Sequence, residues 1–467
     1  MIPLSINIIA DVVDGVLSDS SKAERIVTSV STDSRQLQAD DMFIALKGPN
    51  FDGHGFVAQA ASLGCPAAIV EVKQDADIAQ IVVADCYQAL GKLAAYVKQQ
   101  VNPKTVAITG SSGKTTVKEM VAAILSPLGS VLATKGNFNN EIGVPLTLLR
   151  LEPHHQYAVV ELGANHLGEI AYTTSLTKPD VALINNIAAA HLEGFGDLTG
   201  VARAKGEIFS GLGDNGVALY NQDTPFTDKW QWRLQDKSVR RFSCVKQADC
   251  YCTDVELSEQ GFSRFCLNTY KGNIDITVPV PGRHNVCNAV AAAAIALEFG
   301  ATLEQIRDGL ENMRPVKGRL NITRLAGTVT LIDDTYNANV ESTKAAVDLL
   351  ATYQGHKIFI LGDLAELGAD ARAYHQQIGE HALTSNIDNM VTLGVLSQSA
   401  SDVFAANGQH FSNRQALLTK LAALIDELDS ATAITILVKG SRSARMELVV
   451  EDIKQWRKAT QEEQGTC

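Results

Sequence analysis

Residues 108–116 combine glycine, hydroxyl and lysine side chains in the order that a phosphate-binding loop requires. Glycines let backbone N–H groups point inward around phosphate oxygens, and the N-terminus of a following helix adds positive potential. The spacing predicts that Lys114 reaches the β- and γ-phosphates of a nucleotide and that the Thr115 hydroxyl binds Mg²⁺. Ile108 stands where the full motif has its first glycine, so a glycine turn with a surface lysine is the alternative. The predicted nucleotide-binding loop, called the P-loop below, consists of Thr109, Gly110, Ser111, Ser112, Gly113, Lys114, Thr115 and Thr116.

Two further polar residues follow apolar segments and could bind a metal ion. Glu161 ends the run 157–160, where we predict a strand, and a carboxylate there suits the hard Mg²⁺ ion. A solvated strand terminus is the alternative for this glutamate. His191 follows a second apolar strand and loop at 184–190, although a single histidine in such a place more often has a structural role. Together with the P-loop, these residues predict an enzyme that uses Mg-ATP or Mg-GTP.

The segments around these residues alternate between buried strands and helices. The apolar run 106–109 precedes the P-loop, and a helix is predicted at 116–125 directly after it. Further buried strands are predicted at 158–160 and 181–184, and residues 240–280 have the pattern of an antiparallel flap. Strand, loop, helix and strand in this order predict a mostly parallel sheet with right-handed crossovers.

Changes in composition divide the chain into three predicted domains of an α/β protein. Residues 1–84 mix short apolar runs with glycine- and aspartate-rich turns, which is typical of a small α/β module. Residues 85–315 hold the P-loop and its mononucleotide-binding sheet. Residues 316–467, after a linker around Pro315, predict a second doubly wound, Rossmann-like unit. Its predicted strands are 329–332, 357–361, 390–393 and 434–438.

Composition and charge exclude several classes of protein. Hydrophobic residues make up 46% and charged residues 20% of the chain, which is typical of a soluble globular protein. The net charge of −12 argues against binding to nucleic acid or to an anionic membrane surface. Residues 1–13 lack a basic leader and the apolar run 289–297 is too short to span a bilayer, so we expect a cytoplasmic protein without membrane insertion. We also expect a monomer. The eight cysteines lack metal-binding spacing, and we expect reduced thiols.

A larger set of motifs resembles the Mur ligases of peptidoglycan synthesis, and the resemblance covers essentially the whole chain. It implies a three-domain α/β architecture whose domains bind a UDP-sugar, ATP and an amino substrate in that order. It also implies ATP-dependent formation of an amide bond. The motifs are residues 109–116, Glu161, His191, residues 204–209, residues 282–285 with Asn288, and Gly318 with Arg319.

Within this family, several strings favour the member that adds D-alanyl-D-alanine to UDP-N-acetylmuramoyl-tripeptide. One departure is Val340, where the family usually has proline, and we expect no loss of chemistry from it. The Asp-Asn-Pro-Arg string of the diaminopimelate-adding member is absent. The resemblance leaves open whether the third residue of the tripeptide is diaminopimelate or lysine. The strings are 32–35, 51–54, 136–143, 333–339, 361–363, 366–368 and 439–442.

The resemblance implies a metal site with two Mg²⁺ ions. Thr115 and Glu161 would hold the ion that bridges the β- and γ-phosphates. His191 would hold a second ion, together with Lys205 if that lysine carries a carbamate, because a carbamate supplies the oxygen anion that Mg²⁺ prefers. Without the resemblance, Lys205 would be interpreted as an exposed helix lysine.

The resemblance also implies which residues carry the reaction. The tripeptide carboxylate would attack the γ-phosphate, and the acceptor amine would then attack the acyl phosphate through a tetrahedral intermediate. The acceptor pocket is expected in the C-terminal domain, with donors from Asn337, Asn339 and residues 439–442. The implied catalytic residues are Lys114, Lys205, His191 and Arg319. The implied contacts are Asn288, Tyr336 and Asn337 for adenine and ribose, Arg319 for the γ-phosphate, and Ser34 and Arg35 for uridine diphosphate.

Three alternative functions share parts of this pattern. A sister amide ligase, such as a diaminopimelate- or lysine-adding enzyme or folylpolyglutamate synthase, would use the same ATP apparatus. A P-loop kinase would transfer the phosphate to a stable product. A non-catalytic nucleotide switch would bind ATP without acceptor-dependent turnover.

Overall fold

The computed structural model describes residues 1–189, 191–258, 261–325, 327–429 and 431–464, and three α/β units follow one another along them. The α/β class and the three-domain architecture expected from the sequence are confirmed. The boundaries at 84/85 and 315/316 stay a prediction. Ala190, in the loop before His191, and Cys467 lie outside the described residues.

The N-terminal unit contains nine short strands and two helices. The strands are β1 (Leu4–Ser5), β2 (Val16–Leu17), β3 (Ile26–Val27), β4 (Ser29–Ser31), β5 (Asp41–Ile44), β6 (Lys47–Gly48), β7 (Phe51–Asp52), β8 (Ala67–Val70) and β9 (Ala79–Val82), and the helices are α1 (Ile6–Val12) and α2 (Val57–Ser62). Five strands form one sheet in the order β2-β9-β8-β5-β4. The pairs β1-β3 and β6-β7 form two small antiparallel ladders beside it.

The central unit is a nine-stranded sheet with the P-loop strand near one end. Its strands are β10 (Lys104–Thr109), β11 (Val131–Ala133), β12 (Tyr157–Glu161), β13 (Val181–Ile184), β14 (Val217–Asn221), β15 (Ser238–Ser243), β16 (Cys250–Leu257), β17 (Ser263–Thr269) and β18 (Gly272–Val278). The helices of this region are α3 (Cys86–Val101), α4 (Lys114–Leu125), α5 (Gly143–Leu148), α6 (Glu169–Thr177), α7 (Leu192–Phe195), α8 (Leu198–Gly206), α9 (Arg283–Glu298) and α10 (Leu303–Glu311).

The strand order of the central sheet is β11-β12-β10-β13-β14-β15-β16-β17-β18. The first seven strands are parallel, and β12 and β13 are buried along their whole length, because helices cover both faces of a parallel sheet. The predicted antiparallel flap is confirmed for β16, β17 and β18. It is wrong for β15, which pairs in parallel with both of its neighbours.

Helix α3 packs against both the first and the central unit. Asp85 caps it by accepting hydrogen bonds from two backbone N–H groups, and it ends at the left-handed Asn102, directly before Pro103. Its apolar face lies in one continuous core that includes strands of the first sheet and helices α5 and α6. Gly91 permits the close approach of α6, since a Cβ at this position would collide with the Tyr172 hydroxyl. The first two units therefore share a core.

The C-terminal unit is a six-stranded sheet in which β19 is an antiparallel edge strand and the others are parallel. Helices α11, α12 and α13 cover one face and α14 and α15 the other. The four strands predicted here are confirmed. The strand order is β19 (Asn321–Arg324), β20 (Val329–Asp334), β24 (Ile434–Lys439), β21 (His356–Gly362), β22 (Asn389–Leu393) and β23 (Gly408–Phe411). The helices are α11 (Val340–Ala351), α12 (Ala371–Thr384), α13 (Gln398–Ser401), α14 (Arg414–Asp426) and α15 (Glu447–Gln464).

Two expectations about the whole chain have structural outcomes. The expectation of reduced cysteines is wrong for Cys244 and Cys287, which form a disulfide with a Cα–Cα distance of 5.7 Å. They are 43 residues apart, and only the packing of α9 beside the end of β15 brings them together. In the part of the chain that the structure describes, every helix is too short or too polar to cross a lipid bilayer.

Candidate active site between the central and C-terminal units

A cleft of about 1560 Å³ separates the central unit from the C-terminal unit. The P-loop residues 111–116 line one side, and residues 316–320 and 336–339 line the other. The carboxyl ends of β10, β12 and β20 open into this cleft, which is where doubly wound sheets bind their ligands. The predicted site residues in its lining, besides the rest of the P-loop, are Lys114, Thr115, Glu161, His191, Asn288, Arg319, Tyr336, Asn337, Asn339, Lys439, Ser441 and Arg442.

The P-loop connects β10 to the first turn of α4, as the sequence predicts. Gly113 has a φ of 76°, and a Cβ there would collide with the side-chain amides of Asn185 and Asn288, so this position favours glycine. The Lys114 Nζ donates a hydrogen bond to the Gly110 carbonyl at 2.7 Å. Burial in the cleft lowers the pKa of Lys114. The lysine is therefore folded over the loop, where an anionic ligand would favour its charged form.

Thr115 and Glu161 form a pair of oxygen ligands at the bottom of the cleft. The Thr115 hydroxyl donates to Glu161 Oε2 at 2.9 Å, and Asn139 Nδ2 donates to Glu161 Oε1 at 2.8 Å. The glutamate side chain is buried. Two oxygens bound to one octahedral Mg²⁺ lie about 3 Å apart. The observed spacing and the hard oxygen donors therefore fit a magnesium ion.

Arg319 reaches the P-loop from the C-terminal unit. Its Nη2 donates to the Thr115 hydroxyl at 3.2 Å, and its guanidinium stacks over the Tyr336 ring at 4.4 Å from the centroid. Gly318, with a φ of 70°, allows this, since a Cβ would press against Tyr336. The buried Nε of Arg319 has no hydrogen-bond partner within the described residues. A donor is thus available to an anion in the cleft.

A relay of side-chain amides ties the P-loop to α9. Asn185 Nδ2 donates to the Ser112 carbonyl and to Asn288 Oδ1, both at 3.0 Å, and Asn288 Nδ2 donates to Asn285 at 2.8 Å. Asn186 accepts a hydrogen bond from the Ser112 N–H at 2.9 Å. Sequence reasoning missed Asn185 and Asn186, although their position directly after a predicted strand next to the P-loop strand could have indicated them.

His191 lies opposite an acidic residue of the C-terminal unit. Its Nδ1 contacts the Glu366 carboxylate, and this interaction lowers the pKa of Glu366. Both residues have left-handed backbone conformations. The Phe195 ring packs edge-on against His191, with 6.4 Å between the ring centroids. Glu366 belongs to one of the family strings, but the sequence predicts no role for it, because its partner lies in another domain.

Lys205 contacts Phe195, the phenylalanine that packs against His191, and does not belong to the lining of the cleft. Its side chain is 1% exposed, and its Nζ lies 5.8 Å from the centroid of the Phe195 ring. Within the described residues this Nζ makes no hydrogen bond or ion pair besides its contact with the Phe195 ring. Burial holds the pKa of Lys205 well below its usual range, and the nearby Lys114 lowers it further. The alternative of an exposed helix lysine is wrong.

Several of the hydrogen-bond donors that were expected to bind the acceptor substrate already have partners within the protein. Lys439 is buried in an ion pair with Asp334, and its Nζ also donates to the Asn337 carbonyl at 3.1 Å, so it is not a free donor. Asn337 accepts from the Arg442 backbone N–H at 3.3 Å, while its own Nδ2 has no partner among the described residues. Asn339 donates to the P-loop. On this side the Asn337 Nδ2 is therefore without a partner among the described residues, while the exposed Arg442 side chain pairs with Glu447 at 3.5 Å.

Ser34 and Arg35 lie on the N-terminal unit and outside the lining of the cleft. Arg35 makes two hydrogen bonds of 2.8 Å to the Asp33 carboxylate, which hold the pKa of Asp33 at about 2. The Arg35 side chain is exposed. Ser34 and Arg35 therefore lie away from the cleft, and neither belongs to a hydrophobic core.

In the described ranges, no group of three or more histidine, cysteine, aspartate or glutamate side chains could hold a metal ion.

Comparison with known families gives matches along most of the chain. Residues 26–106 match the model described as Mur ligase family, catalytic domain. Residues 108–296 match the Mur ligase middle domain, and residues 318–442 match the Mur ligase, glutamate ligase domain. The three matches follow the three units of the structure in order.

Individual relatives agree with these matches. The UDP-N-acetylmuramoyl-tripeptide–D-alanyl-D-alanine ligase of Escherichia coli (strain K12) is 48% identical, and the alignment covers 100% of both chains. A crystal structure of MurF from Acinetobacter baumannii superposes with a TM-score of 0.92 at 40% identity, covering 97% of this chain and 99% of that one. MurF ligase from Thermotoga maritima in complex with ADP gives 0.82 at 27% identity, with 92% and 98% covered. With matches to all three domain models and a full-length relative of this identity, the chain belongs to the Mur ligase family.

Proposed function

We propose that the protein is an ATP-dependent ligase that adds D-alanyl-D-alanine to the tripeptide carboxylate of UDP-N-acetylmuramoyl-tripeptide in peptidoglycan synthesis. The observation that carries this proposal is the convergence of Thr115, Glu161 and Arg319 at one point between two units of a Mur ligase. The names of the full-length relatives support the same donor and acceptor.

The cleft binds ATP in this proposal, with the triphosphate on the P-loop and the adenosine near Asn288, Tyr336 and Asn337. The ADP complex of the Thermotoga relative supports an adenine nucleotide. Mg²⁺ would be held by Thr115 and Glu161 and, at a second position, by His191 and Lys205; bound there, it would neutralise phosphate oxygens. Because the Nδ1 of His191 faces Glu366, the Nε2 is the nitrogen left for a metal.

Lys205 takes part in this proposal as a carbamate. A neutral amine adds to carbon dioxide and releases one proton, which converts the side chain into an oxygen anion. Burial lowers the pKa of Lys205 and so favours the neutral amine that this addition needs. The lack of a hydrogen-bond partner within the described residues leaves its Nζ free to react.

The reaction requires an activated acyl group, because a carboxylate is a poor electrophile. The tripeptide carboxylate attacks the γ-phosphate of ATP, which gives an acyl phosphate and ADP. The free amine of D-alanyl-D-alanine then attacks the acyl carbon, and the tetrahedral intermediate expels phosphate. Lys114 and Arg319 face the position where oxygens crowd together, so their cations stabilise both steps. Asn337 and Arg442 supply donors for the acceptor.

The remaining assignments concern the whole molecule. Ser34 and Arg35 bind the uridine diphosphate, for which Arg35 exchanges Asp33 for a pyrophosphate oxygen. The three domains are residues 1–84, 85–315 and 316–467. The protein works in the cytoplasm as a monomer.

A matrix of substrates tests the proposal. Phosphate and ADP release are measured with UDP-N-acetylmuramoyl-dipeptide or -tripeptide as donor, and with D-alanyl-D-alanine, D-alanine, L-alanyl-L-alanine or a free diamino acid as acceptor. We expect turnover with the tripeptide and D-alanyl-D-alanine, and at least about tenfold less with the other acceptors, since none of them places a peptide group and a carboxylate of the D,D configuration against Asn337 and Arg442. Turnover of the dipeptide donor with a diamino acid alone would indicate the sister ligase. ADP release without free phosphate would indicate a kinase, and no acceptor-dependent turnover would indicate a nucleotide switch.

A further inference from the structure

The C-terminal unit contacts the P-loop at both ends of the loop. At the helix end, Arg319 donates to Thr115. At the strand end, the Asn339 Nδ2 donates to the carbonyl oxygen of Ser111 at 3.1 Å. These two contacts span the loop in which the phosphates of ATP are proposed to lie.

Ser111 is held firmly by the central unit. Its backbone N–H donates to the Asn186 carbonyl at 3.1 Å. Its hydroxyl donates to the Ala188 carbonyl at 3.0 Å and accepts from the Ala188 N–H at 2.9 Å. The residue is 6% exposed. With its other polar groups occupied, the carbonyl is the group through which Ser111 meets the C-terminal unit.

Asn339 uses the two ends of its carboxamide for different tasks. The Oδ1 caps α11 by accepting a hydrogen bond from the Ser342 N–H at 2.8 Å, and the Ser342 hydroxyl accepts from the Asn339 N–H at 3.1 Å. The Nδ2 is the atom that reaches Ser111. Serine and aspartate cap helices as well as asparagine does, but the aspartate carboxylate has no donor, and the serine hydroxyl lies too close to its own backbone to replace the amide group that reaches Ser111.

We propose that Asn339 is a positioning residue that couples closure of the C-terminal unit to the conformation of the P-loop. The cap fixes the carboxamide relative to α11, and the amide then holds the Ser111 carbonyl when the two units meet. Closure therefore sets the loop at both ends before the reaction. This inference rests on the proposed ATP site.

The variants Asn339→Ser and Asn339→Ala separate the two tasks. Asn339→Ser keeps a capping oxygen and loses the amide donor, whereas Asn339→Ala loses both. Asn413 provides the matched control, because it caps α14 of the same unit by accepting from the Ala416 N–H at 2.9 Å and lies outside the cleft lining. Asn413→Ser and Asn413→Ala therefore repeat the chemistry without the P-loop contact.

Three quantities are measured on the full-length protein: the melting temperature, the affinity for a non-hydrolysable ATP analogue, and the scattering curve with that analogue. We expect Asn339→Ser to melt as the parent does, to bind the analogue about 2- to 13-fold more weakly, and to scatter as a more open particle. Asn339→Ala should show the same defects and also a lower melting temperature. Asn413→Ala should lower only the melting temperature, and Asn413→Ser should change none of the three.

Two results would overturn the inference. One is parental affinity and scattering for Asn339→Ser, and the other is a loss of melting temperature in Asn339→Ser equal to that in Asn339→Ala. If the serine variant does not fold, Asn339→Thr gives the same test, because threonine too caps the helix without the amide donor and adds no charge. Binding and scattering need no turnover, so a failure of the proposed reaction in the substrate matrix is detected separately.

Discussion

Arg319 and Thr115 are 204 residues apart in the sequence, yet the Nη2 of one donates to the hydroxyl of the other at 3.2 Å. The contact places a cation from the C-terminal unit beside the oxygen that we assign to Mg²⁺. The proposed nucleotide site is therefore complete only when two units of the chain meet, and loss of the arginine should affect chemistry more than folding.

Replacement of Arg319 by alanine tests this contact. We expect kcat/KM to fall about 10²- to 10³-fold, because one preorganised cation is lost from the transition state. Arg314→Ala, an exposed arginine in the same linker region, should retain parental activity. Phosphate release measured on both variants checks the prediction, and a loss of less than about threefold in Arg319→Ala would contradict it.

Lys114→Ala tests the P-loop. Its ammonium is expected to neutralise phosphate oxygens, so turnover should fall roughly 10²- to 10⁴-fold. Lys104→Ala, at the exposed start of the same strand β10, is the control and should leave turnover unchanged. Activity of Lys114→Ala within a few-fold of the parent would remove the P-loop assignment.

Lys205→Ala tests the carbamate. The variant should be nearly inactive, and a short carboxylic acid added in solution should restore part of the rate, because it replaces the missing oxygen anion. Arg203→Ala, an exposed cation on the same helix, is the control. ¹³C-NMR of the parent under labelled carbon dioxide should give a carbamate signal that the Lys205 variant lacks. Full activity of Lys205→Ala would refute the assignment.

The buried His375 predicts a dependence of stability on pH. Its Nε2 accepts a hydrogen bond from the Leu364 N–H at 2.9 Å, and its Nδ1 contacts the Ala371 carbonyl at 2.7 Å. Leu364 is two residues before Glu366 in the sequence. Burial lowers the pKa of His375 from its ordinary 6.5, so the unfolded state binds its proton first as the pH falls. Titration of this residue therefore leaves the free energy of unfolding unchanged above pH 6.5 and lowers it progressively below that pH.

Thermal unfolding at pH 7.5 and 5.5 checks this sign. The parent should lose more melting temperature between the two values than His375→Gln, which keeps one donor and one acceptor without a titrating ring. His356→Gln, at a partly exposed histidine in the same unit, is the control and should behave as the parent does. An equal loss in the parent and in His375→Gln would show that other groups cause the pH dependence.

The local structure was predicted correctly where the residues involved are neighbours in the chain. The P-loop, its strand and its helix lie within about 20 residues, and the spacing of glycine, lysine and threonine indicates their geometry directly. It failed where function depends on strand order. Lys439 was expected to be a free donor, but β24 lies beside β20 and places Lys439 next to Asp334 in the register of the two strands. No local pattern shows that pairing.

The sequence also did not predict which residues make contacts between the units. Asn339 was expected to bind the acceptor, yet its amide contacts Ser111 of another unit. The pairs Arg319–Thr115 and His191–Glu366 likewise join residues whose separate motifs were recognised. The family resemblance identified these residues, but only the packing of the units shows which of them touch.

Helix α3 determines how the molecule can move. Because its apolar face lies in a core shared by the first two sheets, separation of those units would expose that core to water. The connection between α10 and β19 has no such shared core and is the natural joint. We therefore expect the N-terminal and central units to move as one rigid body and the C-terminal unit to move against them. A covalent cross-link between the first two units should leave turnover intact, whereas a cross-link between the central and C-terminal units should stop it.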